Sequence, residues 1–343
     1  MTDPVQGALA SVVGGKHLSA ADAEAALGAI LDGATSPVLI AALLVALRVR
    51  GEQPAELAGF VRALRARAIP VDAPAGTVDT CGTGGDHSST FNVSTAVAIV
   101  VAGAGVPVAK HGNRAVSSTS GSSDVIAALG IPMESTAEEA GTALHEDGFA
   151  YLHAPSFHPG MKHPGPVRRE LGIRTAFNLC GPLANPAGPR RQLVGVADAA
   201  VAATVAEALR ILGSERAFVV HGAGLDELPL DGEGVIHDVR PEGVTVRTVT
   251  PEQVGLRSAP RSALVVSGPD ESAARIRAIL AGTETGPARD IVALNAGAAL
   301  EVAGRAGSLG EGVALALTTI ASGAAQRMLD RIRARSGAQE ERA

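Results

Sequence analysis

Between Thr77 and Gly112 the chain reads TVDTCGTGGDHSSTFNVSTAVAIVVAGAGVPVAKHG. TVDTCG has the pattern of a strand running into a glycine-rich loop, NVSTAVAIVVAGAG that of an apolar helix, and VPVAKHG that of a second strand. Two strands joined through a helix must lie parallel, because only a crossover returns the chain to the same sheet edge. The pattern recurs downstream, where QLVGVA and RAFVVHG flank the helix AAVAATVAEALRILG. GVIHDV and GVTVRTV then suggest a hairpin or two edge strands, and helices are expected near 269–281, 286–303 and 309–334. SGAQEERA reads as a frayed tail. The expected fold is α/β with a mainly parallel central sheet.

The residues before this unit are of another kind. Ser19 precedes AADAEAALGAIL, Ser36-Pro37 opens VLIAALLVALRVR, and Pro54 starts a third helix ending near Ala68. A hydroxyl N-cap and proline in the first turn are helix-start signals; residues 4–13 form a further helical candidate. The apolar faces of these helices pack either on another domain or subunit, or on the rest of the same chain. IPVDAPAGT (69–77) reads as a connection. The expected division is a small all-helical domain over 1–72 and a larger α/β domain over 73–343. A Pro-, Gly- and Arg-rich crossover, HPGMKHPGPVRRELGIRTAFNLCGPLANPAGPRR (158–191), interrupts the latter. Part of it, within 163–192, is expected to return to the helical domain and complete it.

Of 343 residues, 46% are hydrophobic, enough for a sizeable core, and the formal charge of −6 argues against nucleic-acid or anionic-membrane partners. With no Trp and one Tyr, there is little material for base-stacking platforms. Two cysteines cannot build a disulfide framework, and the N-terminus does not have the pattern of a signal peptide, so a cytoplasmic location is expected. The longest apolar run, TAVAIVVAGAGVPVA, is too short to span a bilayer.

Three loops carry candidate chemistry. GTGGDHSST, between strand and helix, points backbone N–H groups toward an anion or is merely a tight turn; it has neither Walker A nor G-x-G-x-x-G spacing. AKHGNRAVSSTSGSSD gathers Lys110, His111, Asn113, Arg114 and several serines after the next strand, a set suited to phosphate oxygens. VVHGAGLDELPL presents Asp226 and Glu227 side by side, either a solvated pair or the one or two carboxylates with which Mg²⁺ is commonly held beside substrate phosphates.

These residues, with HPGMK and PVRRELGIRTAFNLCGPLANP, stand in the order and spacing of the anthranilate phosphoribosyltransferase family, and the chain resembles that family over essentially its whole length. The resemblance implies transfer of a phosphoribosyl group from 5-phosphoribosyl 1-diphosphate to the amine of anthranilate, releasing pyrophosphate. It implies a nucleoside phosphorylase-like fold, dimerisation through the helical domain, and Mg²⁺ as cofactor, two ions per monomer. For the sugar diphosphate it implies Gly82, Gly85, Asp86, Thr90, Asn92, Val93, Ser94, Thr95, Lys110, His111, Gly112, Asn113, Arg114, Ala115, Val116, Ser117, Ser118 and Ser122. Anthranilate would meet Gly82, His111, Asn113, His158 and Arg168, the last pairing with its carboxylate; Ser94, Asp226 and Glu227 would hold the metal. His87 stands where the family usually has glycine and Thr119 where lysine is frequent, departures that bear on affinity. Neither the residues nor the resemblance names a general base. Related pyrimidine nucleoside phosphorylases share the two-domain plan, and a non-catalytic nucleic-acid-binding relative is the other alternative.

Overall fold

The computed structural model describes residues 3–85, 88–113 and 122–340. Helices α1 (Pro4–Val13), α2 (Ala20–Leu31), α3 (Pro37–Arg50) and α4 (Pro54–Ala66) come first. Their starts follow from local chemistry. Ser19 and Ser36 accept hydrogen bonds from the N–H groups of Asp22 and Leu39, and prolines open α3 and α4. Glu56 is buried within the capping box of α4, where it accepts from the Gln53 and Leu18 N–H groups and pairs with Arg50.

The α/β part runs β1 (Val78–Gly82), α5 (Val93–Gly103), β2 (Val108–Gly112), α6 (Ser122–Leu129), α7 (Ala137–Glu146) and β3 (Phe149–His153). The crossover then forms α8 (Ala154–Phe157), α9 (Pro164–Leu171) and α10 (Ala176–Cys180). Next come β4 (Arg191–Gly195), α11 (Ala199–Ile211), β5 (Arg216–His221), β6 (Gly234–Arg240) and β7 (Gly243–Val249). Helices α12 (Pro269–Leu280), α13 (Pro287–Val302), α14 (Leu309–Ala321) and α15 (Ala324–Glu340) close the chain. The expected single helix over 309–334 is therefore two. Gly323, at φ +74°, takes a left-handed conformation that ends one and starts the next. The expected frayed tail continues α15 as far as Glu340.

The sheet order is β3-β2-β1-β4-β5-β6-β7, with the first five strands parallel and β6–β7 the antiparallel hairpin at one edge. Alternation along each strand sends residues to opposite faces. Leu193, Phe218 and Val220 join α5 and α12–α15 in one core, whereas Val194, Ala217 and Val219 join α11 and helices α1–α4 in the other. Val167, Phe177, Leu179, Cys180 and Leu183 from the crossover lie in that second core. Both cysteines are buried and form no disulfide. No helix among the described residues is long and apolar enough to cross a membrane.

Candidate active site

The connections from β1 and β4 depart in opposite directions, which makes the gap between their carboxyl ends the topological switch point where open α/β sheets place ligands. Here Gly82 and Gly195 are register partners. Asp226, from the turn after β5, lies across both. A Cβ at Gly82 would come within 2.2 Å of Asp226 Oδ2, and one at Gly195 within 1.5 Å of the Asp226 carbonyl oxygen. Asp226 Oδ2 also accepts the Gly84 N–H at 2.9 Å. The two glycines thus form a notch that seats the carboxylate-bearing turn. Ser94, Asp226 and Glu227, with Thr80 and Gly195, line one small cavity of about 10 Å³.

No group of three or more His, Cys, Asp or Glu side chains among the described residues is placed to hold a metal. Two carboxylates and one hydroxyl around a single gap suit a hard cation that takes its remaining oxygens from water and substrate phosphate. By that test the donor set fits Mg²⁺.

β2 serves two faces at its tip. Lys110 is buried on the α5 side, its Nζ donating to the Thr80 carbonyl (2.8 Å) and Ser94 Oγ (3.1 Å). Burial lowers its pKa, and the charges of Asp79, Glu227 and Asp226 oppose that shift. His111 turns to the crossover side, where its ring centroid is 5.2 Å from that of His158. Burial pushes the His111 pKa down to about 3 and that of His158 to about 4, against hydrogen bonds to the backbone of Gly181 and Ala184. Both imidazoles are neutral near pH 7, and the Nε2 atom of each is buried with no hydrogen-bond partner among the described residues. A histidine held neutral to such low pH is a hydrogen-bonding group rather than a cation near pH 7.

The remaining expected residues fall into place unevenly. Gly85 follows Gly84 in the loop, both at positive φ (+76° and +60°). Asn92 caps α5 by accepting the Thr95 N–H at 3.0 Å, and Thr90 bridges to Val265. The side chains of Val93 and Thr95 are buried in the core, so any ligand contact by them would be through backbone. Gly112 permits close approach of Ser122 and Tyr151, and Ser122 Oγ donates to the Asn113 carbonyl at 3.0 Å. Arg168, half-buried on α9, stacks over Phe177 (4.8 Å) and makes no ion pair among the described residues, a guanidinium available for a carboxylate. Asp86, Arg114, Ala115, Val116, Ser117 and Ser118 lie outside the described residues, as do His87 and Thr119.

Sequence reasoning missed three residues. Asp79, on β1, is fully buried, accepting the His111 N–H (3.3 Å) and a hydrogen bond from Asn185 Nδ2 (2.9 Å), and burial raises its carboxyl to about 6 against those bonds and the Lys110 charge. Asn185 also donates to the Ala109 carbonyl (2.8 Å), tying the crossover to both strands. Arg174 reaches from the crossover to the Thr83 and Gly84 carbonyls. Beside it, a cavity of about 220 Å³ opens between Arg48 and Glu52 of the helical part and Thr83, Gly85 and Asp198 of the α/β part. Asp79 and Arg174 stand inside the quoted motifs, but their partners are remote in sequence.

Comparison with known proteins matches residues 6–68 to the helical bundle domain of the glycosyl transferase family and 75–326 to that family's a/b domain. The anthranilate phosphoribosyltransferase of Herpetosiphon aurantiacus is 48% identical, over 97% of this chain and 99% of its own. That of Rubrobacter xylanophilus is 49% identical over 94% and 95%. Among solved structures, anthranilate phosphoribosyltransferase from Thermus thermophilus superposes with a TM-score of 0.91 at 47% identity, covering 97% of this chain and 99% of its own. The Saccharomyces cerevisiae enzyme in complex with PRPP and Mg gives 0.89 at 28% identity, with 98% and 99% covered.

Proposed function

Because the chain belongs to the anthranilate phosphoribosyltransferases of the glycosyl transferase family, we infer that it transfers the phosphoribosyl group of 5-phosphoribosyl 1-diphosphate to the amine of anthranilate. The products are N-(5-phosphoribosyl)anthranilate and pyrophosphate, a step of L-tryptophan biosynthesis. The observation that carries this reading at residue level is the two-faced tip of β2. Lys110 reaches the Ser94 hydroxyl and the field of Asp226–Glu227 on one side, and His111 meets His158 on the other. One strand end thereby separates an anionic-ligand half-site from a drier aromatic one.

The chemistry assigned to each half follows from its groups. Displacing pyrophosphate builds negative charge on the leaving group, which Lys110 and the backbone N–H groups of the glycine loop would receive. Mg²⁺, held by Ser94, Asp226 and Glu227, would neutralise the diphosphate further. Two ions per subunit remain part of this reading, with the adjacent carboxylates offering each an anionic ligand. On the other side Arg168 takes the anthranilate carboxylate, and the neutral His111 and His158 accept hydrogen bonds from its amine without adding charge. The aromatic amine is unprotonated near neutral pH, so holding it in line with the anomeric carbon is the main task.

The same reading includes a homodimer through the helical part. Val38, Val45 and Val49 form an exposed stripe on α3, and Val13 is exposed at the end of α1, which supports it. It also includes a cytoplasmic location, consistent with two free cysteines, and a division at 1–72 and 73–343 with part of 163–192 added to the first. The test is to mix purified protein with anthranilate, phosphoribosyl diphosphate and Mg²⁺ and follow anthranilate fluorescence. No loss of signal with folded protein would refute the activity, and phosphate-dependent cleavage of thymidine or uridine would point to the phosphorylase instead.

A further inference from the structure

We propose that Arg174 is a positioning residue for the diphosphate half-site, fixing the direction in which the glycine loop presents its N–H groups. Arg174 Nη1 donates to the Gly84 carbonyl at 2.7 Å and Nη2 to the Thr83 carbonyl at 3.4 Å. The consequence follows from peptide planarity. In a trans peptide the C=O and the following N–H point in opposite directions. Holding the Gly84 carbonyl on the crossover side therefore turns the Gly85 N–H away from the guanidinium. The peptide before it is pinned at both ends, its carbonyl on Arg174 and its Gly84 N–H on Asp226.

Glycines at φ +60° and +76° have no Cβ to oppose a flip of the intervening plane. A loop of this composition needs an external clamp to keep one orientation, and the guanidinium fork supplies two donors to successive carbonyls. The clamp stands on a braced support. Gly172, in a left-handed conformation (φ +62°), ends α9, and Asn178 Oδ1 accepts the Thr175 N–H (3.0 Å) at the start of α10. Arg168 and Arg174 therefore flank one turn of the crossover, so the segment that receives the acceptor substrate in the proposed reaction also shapes the loop for the donor.

The inference rests on the reading that this loop binds diphosphate, and the test separates the two. Binding of phosphoribosyl diphosphate with Mg²⁺ is measured by calorimetry for the wild type, Arg174→Met and Arg174→Lys, with KM for both substrates and inhibition by inorganic pyrophosphate. The expected result for Arg174→Met is about tenfold weaker phosphoribosyl diphosphate and pyrophosphate binding, the scale of one charge-assisted hydrogen bond. Its anthranilate KM should change less than twofold, with an unchanged melting temperature, and Arg174→Lys should recover part of the affinity. Wild-type affinity in Arg174→Met, or equal increases in both KM values, would overturn the role of Arg174 and leave the diphosphate reading standing. A wild type that binds no phosphoribosyl diphosphate would overturn both. If Arg174→Met does not fold, Arg174→Lys decides, because lysine cannot grip two carbonyls and unchanged affinity would refute the clamp.

Discussion

Replacing Gly195 by alanine tests the notch directly. The glycine is not at positive φ, so alanine meets no left-handed backbone penalty; the obstacle is the Asp226 main chain, whose carbonyl oxygen lies 1.5 Å and carbonyl carbon 2.5 Å from the new Cβ. Ordinary contact begins near 3.4 Å, so the turn must retreat by about 2 Å. It is not free to do so. Leu228, two residues on, is held through both its N–H (2.9 Å) and its carbonyl (3.0 Å) by the buried Asn295, and Gly222 bridges Leu225. Such overpacking costs about 1–3 kcal/mol of stability. The larger effect is on chemistry, because Asp226 and Glu227 move away from Ser94 and Lys110. A misplacement of about 1 Å can cost on the order of 100-fold in rate, so kcat should fall by at least that and the Mg²⁺ concentration for half-maximal rate should rise. The assay is anthranilate fluorescence across a Mg²⁺ titration, with thermal melting alongside. Gly310→Ala, at a helical glycine with open space around its Cβ, is the control and should be neutral. Wild-type kcat and Mg²⁺ dependence in Gly195→Ala would refute the idea that this glycine seats the carboxylate turn.

Further outcomes follow from other groups. Arg168→Ala should raise the anthranilate KM far more than that of phosphoribosyl diphosphate, and equal rises measured at steady state would contradict its assignment. Asp79→Asn removes a charge that opposes the burial-driven fall of the Lys110 pKa, so the ammonium should lose its proton at lower pH. The KM for phosphoribosyl diphosphate, followed between about pH 7 and 10, should then begin to rise at lower pH than in the wild type; a rise at higher pH would reverse the argument. Since burial holds His111 near 3 and His158 near 4, both titrate below the working range. The pH profile of kcat/KM for anthranilate should carry no imidazole inflection between about pH 5.5 and 8, and one abolished by His111→Asn would show that imidazole is charged there.

The strand–glycine–helix pattern made most of the sheet legible in the sequence, because a change from period two to period 3.6 is local information. Lys110, Asp226 and Glu227 were legible for a similar reason, standing within three residues of a glycine in a strand or in the loop that follows one. β3 was not. FAYLH is buried along its whole length, and a short apolar run after a helix has no alternation to mark it. The break between α14 and α15 was hidden because one glycine inside an apolar run is also tolerated by a continuous helix. Gly195, Asp79 and Arg174 act through partners 31, 106 and 90 residues away, respectively, across Asp226, Asn185 and Gly84. No local pattern encodes such a meeting.

The crossover also sets a timetable for synthesis. Arg65, at the end of α4, donates to the Leu183 carbonyl, 118 residues later, and α10 packs on α3 and α4. At roughly 5–20 residues per second on the ribosome, the first four helices would wait on the order of 6–24 s for the segment that covers them. During that interval a greasy, half-assembled bundle is exposed in the nascent chain. A chaperone-dependent yield, and poor solubility of a fragment cut before Pro164, are the burdens of building one core from two distant stretches of sequence.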